Sequence, residues 1–384
     1  MSAPKPDADT LDQPESSPLA VPRGGARRMR VHVALAGPTG LVGRAFIRLM
    51  GERDGWLRGE RDIELALVGA INRRRMFWDD RGVQPAEAAD TLRTGREQDW
   101  NDFASRLASH RGAPLLFIDC TASEEIARRY AGLLRAGVAV VTPNKIANAL
   151  DFAYYQELRR VSRETGAPYL YETTVGAATP MLQVLKDLRR TGDTIHRVEG
   201  VLSGTLSYVF AAVNRGEAFS AAVREAAERG LTEPHPASDL SGEDVARKLL
   251  ILVREAGYTM ERPAIDVAPV VPRELRSIAD PGEYIRQLAR FDGEFSLRAS
   301  RAASEGKRLA YVARFDGAGA RVGIAEVGAE SPFVRLRASE NAVHYYTDRH
   351  TPLPLTIQGI GAGPEVTARG VLADVIHAAL DRAA

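Results

Sequence analysis

Apolar positions alternate at Val31, Val33 and Leu35, then give way to Gly37-Pro38-Thr39-Gly40-Leu41-Val42-Gly43 and a helix-compatible run from Arg44 to Met50. Period-two spacing, a glycine-rich turn and a helix, in that order, predict the first βα unit of a layered α/β sheet. Further apolar strands are expected at 63–71, 114–120 and 138–142, with a helix over 123–137 opened by a capping box, Thr121-Ala122-Ser123-Glu124. Strands alternating with helices make the sheet parallel and doubly wound, with its ligand at the C-terminal strand ends. After Tyr171 the pattern changes. Thr179-Pro180 opens a helix, 195–202 reads as a strand, and beyond about Arg308 short β segments dominate (309–315, 321–327), which predicts a second, α+β domain. The end, 355–363 and then a helix-like 365–381, resumes strand, glycine turn and helix, so the tail is expected to pack back on the first domain. The division that follows is 1–28, a dinucleotide-binding unit at 29–173 plus 361–384, and a second unit at 174–360.

Composition narrows what such a chain binds. At 384 residues it exceeds one typical domain, and its net charge of +1 offers no general attraction to nucleic acid or to a membrane surface. No apolar run approaches the roughly 20 residues of a spanning helix. Arg27-Arg28 precede an apolar stretch, as in an export signal, but that stretch leads straight into the glycine turn. Residues 1–28, rich in Pro, Ser, Asp and Ala and without periodicity, read as a disordered leader. The single cysteine, Cys120, excludes an intrachain disulfide framework and a multi-cysteine zinc site, which fits a reducing cytoplasm.

Several stretches carry chemistry. Gly37 to Gly43 is a variant of the Rossmann-like dinucleotide fingerprint, in which small residues let a pyrophosphate sit against a helix N-terminus. At the end of the second strand, where an acid would hold a ribose 2′-hydroxyl, the chain has Asn72-Arg73-Arg74-Arg75; arginines there suit a 2′-phosphate and so NADP, with NAD still possible. Thr142-Pro143-Asn144-Lys145 ends a strand at the ligand edge and aims Lys145 at the nicotinamide end. The small-residue run from Glu172 to Pro180 reads from composition as a hinge, although its carbonyls suit a hard cation. Gly200 to Thr205 is a flexible turn whose N–H groups suit a carboxylate.

The densest stretch runs from Gly230 to Lys248. It is a loop stiffened by Pro234 and Pro236 and carrying Glu233 and Asp239, followed by a helix that Ser241 caps. Asp244 and Lys248, four apart, share one face of that helix. Taken alone, the last residues read as a capping box with a surface ion pair; with the two loop acids they read as a pocket for an amine. Combined with the Gly200–Thr205 turn, the acids would make an α-amino-acid site.

These residues resemble homoserine dehydrogenase, and within it the dehydrogenase portion of the bifunctional aspartokinase–homoserine dehydrogenases. The resemblance runs from about Met29 to the last helix and rests on Asp119-Cys120-Thr121-Ala122-Ser123, on 140–145, on 202–208, on 239–248 and on Gly359-Ile360-Gly361-Ala362-Gly363. It implies NAD(P)-dependent interconversion of L-aspartate 4-semialdehyde and L-homoserine, on the route to threonine and methionine. It implies Lys145 and Lys248 as catalytic lysines with Asp244 beside Lys248, and Glu233, Asp239, Gly204 and Thr205 as substrate contacts. Cofactor contacts would be Gly37, Thr39, Gly40, Leu41, Val42, Asn72, Arg73, Arg74, Thr121, Ala122, Lys145 and Gly361. The backbone of Glu172, Val175, Ala177 and Thr179 matches the family's sodium-type cation site, replacing the hinge reading of that run. The β-rich segment after Arg308 resembles the family's dimerisation region, so 174–360 is expected to be a catalytic and dimerisation domain and the chain a homodimer. Neither an aspartokinase domain nor a C-terminal regulatory domain is expected.

The chain departs from the family pattern at His235, at Ser203 and at Pro38-Thr39, none of them a catalytic group. Two other functions fit the same outline. An aspartate-semialdehyde dehydrogenase would need a nucleophilic cysteine, and only Cys120 is present. An NADP-binding regulatory protein without catalysis would have no use for the constellation of Lys145, Glu233, Asp239, Asp244 and Lys248.

Overall fold

A computed structural model describes residues 28–337 and 339–381. The expected leader lies outside the described residues, apart from Arg28. The first sheet is built from β1 (Met29–Ala36), β2 (Ile63–Ile71), β3 (Arg75–Val83), β4 (Arg96–Glu97), β5 (Leu115–Asp119), β6 (Ala139–Val141) and β7 (Tyr169–Leu170), in the order β4-β3-β2-β1-β5-β6-β7. The strands from β2 to β7 across the sheet are parallel, as the alternating pattern predicts. The other edge differs: β3 and β4 are antiparallel. Asn72 is the local cause. Its side-chain oxygen accepts from the N–H groups of Arg74 and Arg75, both at 2.8 Å, and this Asx turn folds β2 back into a hairpin where a crossover helix would otherwise follow.

The expected helix over 123–137 is two short helices, Glu124–Ala127 and Tyr130–Arg135. The capping box is also displaced. Ser123 is the cap, accepting from Ile126 N, while the Thr121 hydroxyl accepts from Ser123 N at 3.1 Å and shapes the turn before it.

The second sheet comprises β8 (Ile195–Val201), β9 (Ile265–Val267), β10 (Lys307–Phe315), β11 (Ala320–Gly328), β12 (Glu340–Thr347) and β13 (Leu355–Ile360), ordered β13-β12-β8-β10-β11-β9. Its pairs are antiparallel except for β9 with β11. One apolar cluster is continuous from the first sheet (Phe117, Val140) to the second (Val198, Val343, Tyr345), so the two sheets share a core. A second cluster lies on the opposite face of the first sheet. There Val371, Leu372 and Val375 of the last helix, Pro364–Asp381, join Val31, Val33 and Leu35 of β1 and Phe46 and Leu49 of the helix Leu41–Glu60. The tail therefore packs back on the sheet where the chain began, as its strand, turn and helix pattern anticipates. At about 1.5–3 kcal/mol for each large apolar side chain removed from water, this docking is a sizeable share of a domain's net stability.

Burial also makes one end of β1 sensitive to acid. His32 Nδ1 lies 3.1 Å from His110 Nε2, and burial, then His110 and Arg30, lower the His32 pKa from 6.5, against weaker opposing pulls from Asp80 and Glu64. The unfolded chain then binds more protons than the fold below that value, so stability is full above pH 6.5 and declines as pH falls through the lowered folded value. Denaturant melts at pH 8 and pH 5.5 are expected to show this loss, and His32→Gln is expected to reduce it; an unchanged difference between the two pH values would remove His32 as the cause.

Candidate active site

The turn after β1 is shaped by contacts that leave no room for side chains. Gly37 is left-handed (φ +81°), and a Cβ on Gly43 would sit 2.1 Å from the Gly37 carbonyl oxygen, so the helix Leu41–Glu60 begins directly against the turn. This cradle opens into a cleft of about 850 Å³ lined by Gly37, Thr39, Gly40, Asn72, Arg73 and Arg74 on one side and by Gln98, Trp100, Thr121 and Ala122 on the other. Arg73 and Arg74 form no ion pair among the described residues. Asn72 works through its turn, which fixes the backbone of Arg74 and Arg75 at this rim.

A second cleft, about 980 Å³, shares Cys120, Thr121 and Ala122 with the first. Leu41, Val42, Lys145 and Gly361 line it, together with Gly204, Thr205, Glu233, Asp239, Asp244 and Lys248. Every residue expected to touch cofactor or substrate thus faces one of two joined clefts at the C-terminal end of the parallel sheet.

Asp244 lies at the centre of the second cleft. Its Oδ2 is 2.8 Å from Lys248 Nζ and its Oδ1 is 3.6 Å from Lys145 Nζ, so one carboxylate spans both lysines. Burial opposes its ionisation, but the lysines, Lys248 foremost, outweigh this and hold its carboxyl well below the usual carboxylate range. Lys248 is buried and also donates to the Leu202 carbonyl at 2.7 Å, at the end of β8.

The helix that carries the pair does not start as the sequence suggested. Its cap is Gly242, left-handed at φ +76°, and the Ser241 hydroxyl accepts from Glu243 N at 3.1 Å. Asp244 is therefore free of capping duty and turns to the lysines. A Cβ on Gly242 would lie 2.0 Å from the Tyr311 hydroxyl. Gly242→Ala is accordingly expected to cost about 3 kcal/mol or more from strain and overpacking, measurable by denaturant unfolding, and to lower activity by shifting Asp244 and Lys248 together. Wild-type stability in that variant would refute this packing.

Opposite the lysines, Asp239 sits on a four-residue helix, Ala237–Leu240, where the sequence suggested loop. Its Oδ2 accepts from Glu233 N at 2.9 Å, and the Thr205 hydroxyl lies 2.9 Å from its Oδ1 and 2.5 Å from the Leu231 carbonyl. Burial raises the Asp239 pKa, Glu233 and Asp244 add to the rise, and the two hydrogen bonds offset it only in part. The Glu233 carboxylate is exposed and has no cation partner among the described residues. The stretch therefore holds two neighbouring acids, neither of them paired with a cation among the described residues. His235, which the sequence left unexplained, fixes its shape: Nδ1 accepts from Ala237 N at 3.2 Å, Nε2 faces the Ile278 carbonyl at 2.9 Å, and the ring packs edge-on against Tyr284. These partners select the tautomer protonated on Nε2.

Ser203 caps the helix Gly204–Asn214 by accepting from Leu206 N at 3.2 Å. Among the described residues the N–H groups of Gly204 and Thr205 find no acceptor, which leaves two donors at a helix N-terminus facing the cleft. Gly204 is confined by Ser339, whose Cα would be 2.9 Å from its Cβ, and the Ser339 carbonyl accepts from Gly361 N at 2.8 Å. Ser339, Thr173 and Thr367 also line the cleft, and no local motif marks them.

Beside this wall lies the run from Glu172. Gly176 and Ala177 are both left-handed (φ 79° and 50°), and no donor among the described residues reaches the carbonyls of Val175 or Ala177. The Glu172 carbonyl accepts only a long 3.4 Å bond from Val175 N, whereas the Thr179 carbonyl is taken up by Met181 N at 2.7 Å. The Glu172 carboxylate points elsewhere, accepting from Leu182 N at 2.7 Å, and burial, opposed by Lys186, pushes its pKa up to about 7. Cys120, between the clefts, has its thiol pushed far above the usual range by burial and by Asp119. A thiol so disfavoured as thiolate is no nucleophile.

Comparison with known proteins places the chain in a family. Residues 39–172 match the family model "Homoserine dehydrogenase, NAD binding domain" and residues 180–376 match "Homoserine dehydrogenase". The chain belongs to the homoserine dehydrogenase family. It is 36% identical over 339 residues to a bifunctional aspartokinase/homoserine dehydrogenase of Haemophilus influenzae, covering 88% of this chain and 42% of that protein. It is 38% identical over 290 residues to a homoserine dehydrogenase of Paracoccidioides brasiliensis, covering 72% and 78%. The chain thus spans about two fifths of the length of the first curated relatives it matches. A hyperthermophilic archaeal homoserine dehydrogenase solved in complex with NADPH shares the fold, with a TM-score of 0.69 at 24% identity over 92% of this chain and 98% of that one. None of these homoserine dehydrogenase matches favours a semialdehyde dehydrogenase or a non-catalytic binding protein.

Proposed function

We propose that the chain catalyses NADPH-dependent reduction of L-aspartate 4-semialdehyde to L-homoserine, and the reverse oxidation. The observation that carries this reading is the Asp244 carboxylate spanning Lys145 and Lys248 in a cleft that joins the glycine-turn cleft and faces Asp239 and Glu233. Nicotinamide, when bound, supplies the hydride. Hydride addition to an aldehyde leaves charge developing on oxygen, and Lys248, held in place by Asp244 and by the Leu202 carbonyl, donates the proton there. Lys145 adds positive charge beside that oxygen. Glu233 and Asp239 take the substrate ammonium, which relieves their mutual repulsion, and the Gly204 and Thr205 N–H groups take its carboxylate.

The finer parts of the reading have their own support. The cradle that a Cβ on Gly43 would fill suits a pyrophosphate at the start of the helix Leu41–Glu60, and Arg73 and Arg74, without an ion pair among the described residues, suit a 2′-phosphate. The carbonyls of Val175 and Ala177, with those of Glu172 and Thr179, suit a monovalent hard cation such as sodium, because they offer oxygen without formal charge. The catalytic unit is assigned to 174–360 and the dinucleotide unit to 29–173 plus 361–384. We assign a cytoplasmic homodimer serving threonine and methionine synthesis, its contacts drawn from the sheet after Arg308. Among the described residues no helix is long and apolar enough to cross a membrane.

The deciding assay is aspartate-semialdehyde reduction with NADPH and with NADH. Semialdehyde-dependent oxidation of either cofactor is expected, with NADPH preferred, and none with either would remove the reading. In Arg73→Ala/Arg74→Ala the KM for NADPH is expected to rise about 10-fold or more while that for NADH changes little, since only the former loses charge-assisted bonds to a phosphate. Equal changes for both cofactors would leave the preference to other groups.

A further inference from the structure

The reaction as proposed uses Lys145 but not the fully buried carboxylate that lies behind it. Asp119, at the end of β5, is 0% exposed and makes no ion pair among the described residues. Burying a carboxyl with no cation beside it is costly, and burial accordingly raises its pKa, so an apolar residue would serve the strand end better if stability were its only task. Its oxygens receive donors from two separate turns. Oδ1 accepts from Thr121 N at 2.8 Å, in the turn that lines both clefts. Oδ2 accepts from Asn144 Nδ2 at 3.1 Å, one residue before Lys145, and from the Tyr130 hydroxyl. Around this centre the Thr142 hydroxyl donates to the Asp119 carbonyl at 2.9 Å and accepts from Asn144 N at 2.9 Å, while Asn144 Nδ2 also reaches the Ser123 carbonyl at 3.1 Å. Asn144 Oδ1 in turn accepts from Ile146 N at 3.0 Å, on the other side of Lys145. The backbone of Lys145 is thereby pinned from both sides to the turn that carries Thr121 and Ala122.

We propose that Asp119 is a positioning residue that locks the cofactor turn 121–123 to the catalytic turn 142–145 and so sets Lys145 against the reacting end of the cofactor. The proposal rests on the role given to Lys145 above. It assigns to Asp119 alignment of the reacting groups and no part in holding the semialdehyde, which Glu233 and Asp239 hold from another wall of the cleft.

The substitution that isolates this role is Asp119→Asn. The amide keeps an oxygen for Thr121 N, and Tyr130 can reverse its hydroxyl to accept, but the new NH₂ group meets the NH₂ of Asn144 and the tie between turns is lost. Asn144→Ala breaks the same tie from the other side and serves if Asp119→Asn does not fold. In semialdehyde reduction with NADPH, kcat is expected to fall about 10–100-fold in both variants, as for a displacement of about 1 Å between reacting groups, with KM for the semialdehyde within about twofold of wild type. Cofactor binding, titrated by fluorescence, is expected to retain one NADPH per chain. The double variant Asp119→Asn/Asn144→Asp restores a donor facing an acceptor between the two turns while giving up the bond to the Ser123 carbonyl, and is expected to recover at least about twofold of the lost kcat. Folded single variants with kcat within twofold of wild type would overturn the proposal. So would a loss that merely follows the fraction of chain able to bind NADPH, which is what a purely structural role predicts. An active wild type beside unaffected variants removes this assignment alone, whereas an inactive wild type removes the functional reading and the assignment with it.

Discussion

Lys248→Ala is expected to lower kcat for semialdehyde reduction by about 10³-fold, within the range for loss of a positioned general acid, while NADPH affinity stays close to wild type. An ammonium has three protons, and two are committed, to Asp244 Oδ2 at 2.8 Å and to the Leu202 carbonyl at 2.7 Å. The third is the one left for a substrate oxygen, in a position fixed by the other two. Lys145 does not replace it, because Lys145 stands 3.6 Å from Asp244 on another turn and among the described residues has no second anchor comparable to the Leu202 carbonyl. On the proposed reading the cofactor is held mainly by the glycine turn and the Arg73-Arg74 rim, which line a cleft that Lys248 does not line. Because Lys248 is buried, alanine also leaves a void, and Lys248→Met separates the two effects by filling the space without a proton. Both variants are expected to lose kcat alike in steady-state assays. A methionine variant with near-normal kcat would assign proton donation to another group.

What the sequence revealed about this site follows from how local each feature is. The strand, glycine turn and helix from Met29, and the pairing of Asp244 with Lys248, depend on residues a few positions apart, and both are present in the fold. The return of the last helix to the first sheet was also legible, because a strand, turn and helix can bury their apolar face only against a matching layer. Contacts across long stretches were not. Nothing near Lys145 in the chain says that Asp244 spans it, or that Asn144 hangs from Asp119. Gly242 looks like an ordinary loop glycine until Tyr311, on a distant strand, occupies the space a side chain would need. The antiparallel edge at β3 was missed because its residues are mixed in polarity and the turn that creates it is a two-residue Asx motif. The 121–124 capping box and the Ser241 cap were misplaced for one reason: a spacing that fits a cap does not say which of several hydroxyls takes the N–H.

The amine clamp gives the second large effect. Asp239→Asn is expected to raise KM for aspartate semialdehyde about 10–100-fold, the equivalent of about 1.5–3 kcal/mol for a charge-assisted bond, with a much smaller change in kcat. The amide is nearly isosteric, and its oxygen can still accept from Glu233 N or the Thr205 hydroxyl, so the local helix is expected to survive. What it loses is the charge proposed to meet the substrate ammonium. The pH dependence provides a second reading of the same group. In the free site burial and the neighbouring acids raise the Asp239 pKa, so its carboxyl takes up a proton at a higher pH than an ordinary carboxylate does. A neutral Asp239 binds an ammonium poorly, and kcat/KM is therefore expected to decline as pH falls through this raised value. In Asp239→Asn that acid limb is expected to flatten, because the group that titrates is gone and activity is already low. An acid limb in kcat/KM that persists unchanged in the variant, or a fall in kcat with KM unaltered, would move the ammonium contact from Asp239 to Glu233 or to another wall of the cleft.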